Sequence, residues 1–327
     1  MTDKFDQIKL DMNHALAGSY ERNRMCLEDF RFAMVEGAMW EGSIGKQFKN
    51  KPKPVINKIF LAINRILGQK QRLEMNANIV SNSEEATEEG ADVLQSRWRN
   101  DFQSGDGVEA VNNADKEAFF SGFGAYKLVA NYEDEENPDQ EKQNLTIEPI
   151  YSAASSVVFG PSLKRDKSDC KQAWELIRTN RREVEEEFGV KVSSVNGQMD
   201  FFDWDTDTTK DLYLAHYYEV VNKTITEHIF SDGMLSYSVF SGDGIKDENG
   251  NKVSQEDLAK LKSDYDNEDD ENTSYETIRR KKKYVMYSLM AGDQFLIKPR
   301  KTPFKRIPII PQYGYHCVIN GIEYYCG

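Results

Sequence analysis

Residues 121–132 read SGFGAYKLVANY, and at this point the chain changes from a helical to a strand pattern. Upstream, apolar residues recur at helical spacing: Val108, Val111, Ala114 and Ala118. Downstream, apolar and polar residues alternate over 126–132, as in a strand with one buried face. The switch predicts an α+β fold with a mainly helical part, residues 1–124, and a β-rich part, residues 125–327.

The sequence before this switch predicts three more helices. Residues 3–36 contain few helix breakers, and Gly37 is placed to end that helix. A second helix enters at Pro54, and its spacing predicts one buried face: Ile56, Ile59, Phe60, Ile63, Ile66 and Leu67. Gly68 interrupts that stripe, and the alternation over 72–80 predicts a strand. A third helix carries three predicted core residues: Leu94, Trp98 and Phe102.

After the switch the sequence predicts mostly antiparallel strands and short helices. The strands are expected at 126–132, 145–151, 172–177, 212–221, 223–230, 234–240, 284–290, 294–299 and in a hairpin over 316–325 that turns at Asn320-Gly321. A short helix over 181–188 is expected to stop at Gly189. Ser254 is expected to cap another helix inside the acidic segment 241–275.

Composition excludes several classes of protein. With 39% hydrophobic residues the 327-residue chain can build a core, which excludes global disorder. The net charge of -13 argues against a protein covered in base for tight nucleic-acid binding. No apolar stretch reaches the roughly 18 to 20 residues of a membrane span, and the polar start MTDKFDQIKL lacks a signal-peptide core. The expected location of the protein is intracellular.

The charge is unevenly distributed along the chain. Residues 276–327 hold ten bases and three acids, a net +7, so the first 275 residues carry -20. The most acidic stretch, 241–271, comes directly before this basic tail. Such a pattern is typical of a surface that meets a polyanion or an acidic neighbour, and equally of a charged hairpin end in water. One hypothesis is therefore a nucleic-acid-binding module that works through the basic tail.

The sequence offers few catalytic or metal-binding motifs. Residues 205–209 match the DxDxT pattern of haloacid-dehalogenase-like phosphatases, so a Mg-dependent phosphatase using Asp205 and Asp207 is an alternative hypothesis. An EF-hand reading from Ile245 fails because its first ligand position has no side-chain oxygen. The four cysteines lack zinc spacing and are expected to be reduced and packed. His216 and His228 are expected to be ordinary hydrogen-bonded residues. We expect no catalysis, no cofactor and no metal.

Several blocks in order along the chain resemble the portal proteins of short-tailed bacteriophages. The longest is SGFGAYKLVANYEDEENPDQEKQNLTIEPIYSAASSVVFGPSLKRDKSDC at 121–170, and others are NKPKPVINKIF, HYYEVV, ETIRRKKKYVMYSLM, IPIIPQYG and NGIEYYCG. The residues that carry the resemblance are Gly122, Gly124, Tyr132, Asp166, Asp169, Glu219, Pro308, Pro311, Gly314 and Gly321. The chain departs from the family pattern at Gly160-Pro161 and in the long acidic insertion 241–275.

The resemblance implies the N-terminal wing portion of a ring, usually of twelve subunits, at one capsid vertex. Such a ring is the conduit for genome packaging and ejection and the attachment point for the tail. Its implied partners are further copies of itself, the terminase large subunit, the major capsid and scaffolding proteins, a tail adaptor, and double-stranded DNA that passes through without being tightly bound. The protein would lie in the virion and assemble in the host cytoplasm, with no membrane partner.

Two further expectations concern the end of the chain and its basic residues. The last hairpin stops without a closing element, so the stem, clip, crown and any barrel are expected beyond Gly327. The basic residues expected to meet a polyanion or a neighbouring subunit are Arg279, Arg280, Lys281, Lys282, Lys283, Arg300, Lys301, Lys305 and Arg306.

Overall fold

The chain folds as an α+β protein with antiparallel sheets. The computed structural model describes residues 2–72, 77–81, 87–104, 106–132, 143–192, 211–231, 236–242, 244–247, 252–265, 274–292, 294–319 and 322–327. The helices are α1 (Thr2–Met34), α2 (Gly42–Gln47), α3 (Lys58–Gln71), α4 (Glu88–Ser104), α5 (Gly107–Ser121), α6 (Ala153–Ser156), α7 (Arg181–Phe188) and α8 (Gln255–Tyr265), with a 3-10 turn at Ala38–Trp40.

The strands follow the same chain order. They are β1 (Phe123–Tyr132), β2 (Gln143–Pro149), β3 (Val157–Phe159), β4 (Gln172–Asn180), β5 (Asp211–Ser231), β6 (Ser236–Gly242), β7 (Gly244–Asp247), β8 (Ser274–Ala291), β9 (Gln294–Lys301), β10 (Ile309–Tyr313), β11 (Tyr315–Ile319) and β12 (Ile322–Cys326). The chain divides into two compact units. The first comprises Met1–Glu219, Tyr287–Arg300 and Ile307–Gly327, and the second comprises Val220–Met286 and Lys301–Arg306.

In the first unit, β1 is the central strand of a three-stranded antiparallel sheet. It pairs with β2 from Tyr126↔Pro149 to Tyr132↔Gln143 and with β10 from Phe123↔Tyr313 to Lys127↔Ile309. Helix α5 packs on all three strands, with Ala110, Ala114 and Ala118 buried. Gly122 ends this helix in the left-handed conformation. The predicted switch from helix to strand at 121–124 is therefore confirmed.

The main core of the first unit lies under α1. One helical face of α1 packs against β3, β4, β5 and β8 through the residues Phe5, Ile8, Met12, Leu16, Val158, Trp174, Leu176, Ala215, Tyr217 and Met290. The spacing of the four α1 residues, three or four apart, is that of one helical face. The second unit has its own smaller core, made by Phe230, Val239 and Leu258.

Most of the predicted elements are confirmed. They include the long first helix, with Gly37 in the left-handed conformation just after it, and the helix that Gly189 ends. The hairpin of β1 and β2 forms, and so does the hairpin of β11 and β12, whose turn residues Asn320 and Gly321 lie outside the described residues. Ser254 accepts a hydrogen bond from the backbone N–H of Asp257 at the start of α8, as predicted.

The predicted buried face of the second helix is wrong. Helix α3 begins at Lys58, because the Asn57 side chain accepts the backbone N–H of Phe60, and it continues through Gly68 to Gln71. Of the predicted face only Leu67 is buried, whereas Ile59 and Ile66 are 46% and 47% exposed. The periodicity identified a helix correctly, but periodicity does not reveal what covers the apolar side.

Three other predictions need correction. The core role of the third helix is wrong, because Leu94 is exposed and the half-exposed rings of Trp98 and Phe102 stack on each other at 5.4 Å. Residues 72 and 77–80, the described part of the strand predicted over 72–80, are not in a strand. The cysteines are not all packed, since Cys326 is exposed.

The strands after residue 210 are longer than predicted. The predicted strands 212–221 and 223–230 are one continuous strand, β5, whose first part pairs with β4 and whose last part pairs with β6. Strand β8 begins at Ser274, ten residues before the predicted start, and so includes the basic run 279–283. Charged runs favour strands poorly, which hides such an extension in the sequence.

The packing of α1 gives a first testable prediction. Leu16 is 2% exposed in the main core and Leu10 on the same helix is 50% exposed. We expect Leu16→Ala to lower the free energy of unfolding by about 2–4 kcal/mol through the cavity it leaves. The matched variant Leu10→Ala should change it by less than about 0.5 kcal/mol. Urea unfolding followed by circular dichroism measures both, and equal effects would contradict the assigned core.

Candidate functional site

Three of the glycines predicted as signature residues lie where backbone segments of the first unit cross. A β-carbon on Gly122, which has φ +87°, would lie 2.5 Å from the backbone nitrogen of Cys326. One on Gly314 would lie 2.5 Å from the carbonyl oxygen of Ala118, and one on Gly124 would overlap the carbonyl oxygen of Ala114. The Gly314 N–H donates to the Gly122 carbonyl at 3.0 Å. Only glycine permits this approach, so these positions fix how α5, β1 and the C-terminal strands meet.

The signature prolines lie at the edge of the same sheet. Pro311 in β10 faces Ala125 of β1, and the Pro308 carbonyl accepts the Leu128 N–H at 2.8 Å. Strand β10 is an edge strand, where a residue without an N–H is tolerated. Sequence reasoning did not predict a strand here, because prolines within a run argue against one. Tyr132 is the last residue of β1.

The signature aspartates shape the loop between β3 and β4. Asp169 accepts the backbone N–H groups of Leu163, at 2.7 Å, and of Lys164. These hydrogen bonds lower the pKa of Asp169. Asp166 accepts the N–H of Ser168 at 3.2 Å. The loop so formed holds Lys167 at φ +55°, a conformation that a lysine rarely adopts.

The buried Lys167 ends in a network that joins this loop to α1 and to β12. Its ammonium group donates to Glu323 at 2.6 Å, and the Tyr325 hydroxyl donates to the same carboxylate at 2.6 Å. Arg22 of α1 lies 3.3 Å from Glu323 and 4.8 Å above the Tyr325 ring. Burial opposes ionisation of Glu323, but the bonds from Lys167 and Tyr325 outweigh it and lower the pKa of this carboxyl.

Sequence reasoning missed Arg22 and Glu323 as a pair because 301 positions separate them. The sequence blocks that carry the family resemblance do contain two members of this network. Lys167 lies within the Asp166–Asp169 run, and Glu323 lies within NGIEYYCG. The network borders a half-open cavity of about 570 Å³, in whose lining Arg22 and Lys167 both pair with Glu323. In that lining Gln172 donates to Asp11 at 3.0 Å. The arrangement is suited to holding segments together. The remaining described signature residue, Glu219, forms an exposed ion pair with Lys4 at 3.0 Å.

The nine predicted basic contact residues do not all fall in one unit. Arg300 belongs to the first unit, where its guanidinium lies 5.2 Å above the ring of Tyr287. The other eight belong to the second unit: Arg279, Arg280, Lys281, Lys282, Lys283, Lys301, Lys305 and Arg306. All eight are exposed. Arg280 contacts Glu227 at 2.5 Å, and the Lys301 ammonium lies 3.9 Å above the Tyr284 ring.

Among the described residues, those of the alternative chemistries form no assembled site. The Asp205–Thr209 motif and Gly321 lie outside the described residues. Ile245 and Asp247 lie in β7, and Glu256 lies in α8. Within the described ranges no three His, Cys, Asp or Glu side chains are grouped as metal ligands. The two predicted strand histidines are hydrogen-bonded as expected: His216 to Tyr287, and His228 to Tyr275 and Ser241. No described helix is both long and apolar enough to span a membrane.

Comparison with known proteins decides the family. Residues 9–327 match the family of phage P22-like portal proteins. The chain belongs to this family. It is also similar to the portal protein of Acyrthosiphon pisum secondary endosymbiont phage 1, with 30% identity over 332 residues that cover 98% of this chain. The match covers 44% of that relative, so the chain spans less than half of its length. The resemblance to phage portal proteins found in the sequence is confirmed.

The glycine crossing yields a prediction for this portal-family chain. Gly314→Ala places a methyl group against two carbonyl oxygens, those of Ala118 and Cys326, and should lower the free energy of unfolding by about 1–3 kcal/mol. Gly68→Ala, in the interior of α3 with no atom nearby, should raise it by about 0.5–1 kcal/mol. Urea midpoints of the two variants should move in opposite directions. A stable Gly314→Ala protein would remove the proposed role of the crossing.

The carboxyl network predicts a pH dependence. Because the folded-state pKa of Glu323 lies below its ordinary value of 4.5, its bonds stabilise the fold fully above that pH. Their contribution is lost as the pH falls through the folded-state pKa. Glu323→Gln should therefore lower the urea midpoint near pH 6, and the difference from the parent chain should shrink at about pH 3.5.

The control for this pH experiment is Glu186→Gln, which changes an exposed carboxyl on α7. It should leave the urea midpoint nearly unchanged at both pH values. A Glu323→Gln difference that stays the same at both pH values would contradict the assigned network.

Proposed function

We propose that this chain is the N-terminal, outward-facing wing portion of a portal-ring subunit at one vertex of a phage capsid. The match to the family over 9–327 supports this, as does the similarity to a phage portal protein. In that role the protein is a structural component of the virion rather than an enzyme. It contributes to the conduit for genome packaging and ejection and to the attachment point of the tail.

The observation that carries the proposal is the use of the signature residues. Gly122, Gly124 and Gly314 permit backbone crossings, Pro311 lies in an edge strand, and Asp169 orders a loop. Each fixes the backbone of the first unit, and none of these roles is catalytic. A subunit whose task is to hold its shape while DNA passes requires this kind of rigidity.

The charge of the chain is compatible with a conduit. Its net charge of -13 repels a polyanion at long range, and a channel that held phosphates tightly would stall the DNA it conducts. Passage without tight binding is therefore the proposed relation to double-stranded DNA. ATP hydrolysis is assigned to a separate terminase large subunit.

Exposed apolar side chains favour assembly with further protein surface. On α3, Ile59, Leu61 and Ile66 are 46%, 68% and 47% exposed. Ile59 and Ile66 lie two turns apart on the same side of α3, and a contiguous exposed apolar face of this kind is typical of an interaction site. The proposed partners are further copies of the chain in a ring of twelve subunits, the major capsid and scaffolding proteins, and a tail adaptor. Assembly in the host cytoplasm belongs to the same proposal.

The proposal predicts a closed ring for the full-length gene product. Electron microscopy and mass measurement of the purified protein should give rings with rotational symmetry, because heterologous contacts close into rings. A matched variant with Ile59 and Ile66 both changed to Ser should keep the circular dichroism spectrum, because both side chains are exposed, and should test whether α3 lies in a subunit contact. A full-length protein that stays monomeric at every concentration would overturn the proposed function.

A further inference from the structure

Strand β8 presents an unbroken run of five bases, Arg279–Lys283, which we call the basic strand. All five residues are exposed. Strand alternation directs Arg279, Lys281 and Lys283 to one face and Arg280 and Lys282 to the other. Positive charge therefore covers both faces of the strand. Residues two apart on a strand are separated by about 6.8 Å, so Arg279, Lys281 and Lys283 form a regular row of positive charge along one face.

The partners of these bases inside the described part of the chain are few. Arg280 pairs with the buried carboxylate of Glu227 at 2.5 Å. The remaining four, Arg279 and Lys281–Lys283, form no ion pair with an acid in the described residues. Within the described residues, ion pairing therefore neutralises one base of the run, and the other four carry their charge at the exposed surface.

The neighbouring aromatic residue argues against a single-stranded ligand. Proteins that hold single strands stack bases on exposed aromatic rings. Here the ring of Tyr284, the residue that follows the run, is covered by the ammonium group of Lys301 at 3.9 Å. What the basic strand offers is charge without a stacking platform. That combination fits a phosphate backbone recognised without regard to sequence.

The spacing of charge suits a duplex. Successive residues of a strand rise by about 3.4 Å, and each strand of B-form DNA carries one charge per about 3.4 Å of helix axis. A β-strand that lies along a duplex therefore presents, on the face of Arg279, Lys281 and Lys283, one base for roughly every second phosphate of the nearer DNA strand. Two more exposed bases, Lys305 and Arg306, add to the positive charge of the second unit.

We propose that the basic strand of β8 contacts the phosphate backbone of double-stranded DNA weakly and without sequence preference. The inference rests on the proposed function, since it names which part of the wing meets the DNA. It also separates two properties of the chain: net acidity, which prevents tight binding, and a local basic strand, which permits transient contact.

The test measures binding of the 327-residue chain to a labelled 30-base-pair duplex by fluorescence anisotropy between 50 and 200 mM salt. With three phosphate contacts, from the bases Arg279, Lys281 and Lys283 that share one face, the association constant should fall about 40-fold over this range. Changing Lys281, Lys282 and Lys283 together to Gln removes two of these contacts and should reduce the fall to about 3.5-fold and flatten the salt slope by about two. The matched control changes three other exposed lysines, Lys46, Lys49 and Lys51, to Gln and so removes the same amount of charge. It should keep the slope of the parent chain.

Several results would overturn the inference. They are no binding at 50 mM salt, an equal loss in both triple variants, or tighter binding to a single strand of the same length. Salt-sensitive self-association that is lost in the Lys281–Lys283 variant, without DNA binding, would assign the strand to an acidic surface of a second copy instead. Electron microscopy of the full-length variant separates the two proposals. Rings without DNA binding contradict only this inference, whereas an absence of rings contradicts the proposed function.

Discussion

The first unit depends on one close backbone crossing. At Gly122 and Gly314 the end of α5, the start of β1 and the C-terminal hairpin approach each other more closely than any side chain allows. This crossing places residues near 122 next to residues near 314, although they are far apart in the sequence. Once it forms, β10 can pair with β1, and β12 lies where Glu323 reaches Lys167 and Arg22. The charge network is therefore a consequence of the crossing.

Other buried charged side chains in this unit also join segments that are distant in the sequence. Lys127 of β1 donates to both oxygens of Glu175 in β4, at 3.1 and 3.2 Å, and lies 3.5 Å from Glu148 of β2. Burial raises the pKa of Glu175 in spite of Lys127, and burial with the same lysine lowers the pKa of His216 to about 4. Buried pairs contribute little net stability compared with apolar residues of the same volume. Their effect here is to fix which strands become neighbours.

The sequence predicted elements better than it predicted their surroundings. Local signals were sufficient at Gly122, Gly189 and Ser254, because helix caps depend on residues within one turn. They failed for α3, whose apolar spacing is helical although Ile59 and Ile66 face solvent in this chain. They failed again for β10, because its prolines are tolerated only at a sheet edge, and an edge is a property of the assembled sheet. The same difference between local and long-range information applies to the site. The sequence marked Asp169 as a signature residue, but it did not predict that the loop ordered by Asp169 brings Lys167 into contact with Glu323.

The second unit shows why a total charge is a poor guide to a surface. At physiological salt the field of an exposed charge is screened within about 8 Å, so a DNA strand that touches β8 senses the bases of that strand and little of the chain's -13. At greater distance the acid excess is what a polyanion meets, to the extent that salt leaves it unscreened. A surface built in this way repels at long range and attracts only on contact. Because attraction is confined to a few bases, each contact with a phosphate backbone is weak and short-lived, which is compatible with DNA that has to remain mobile.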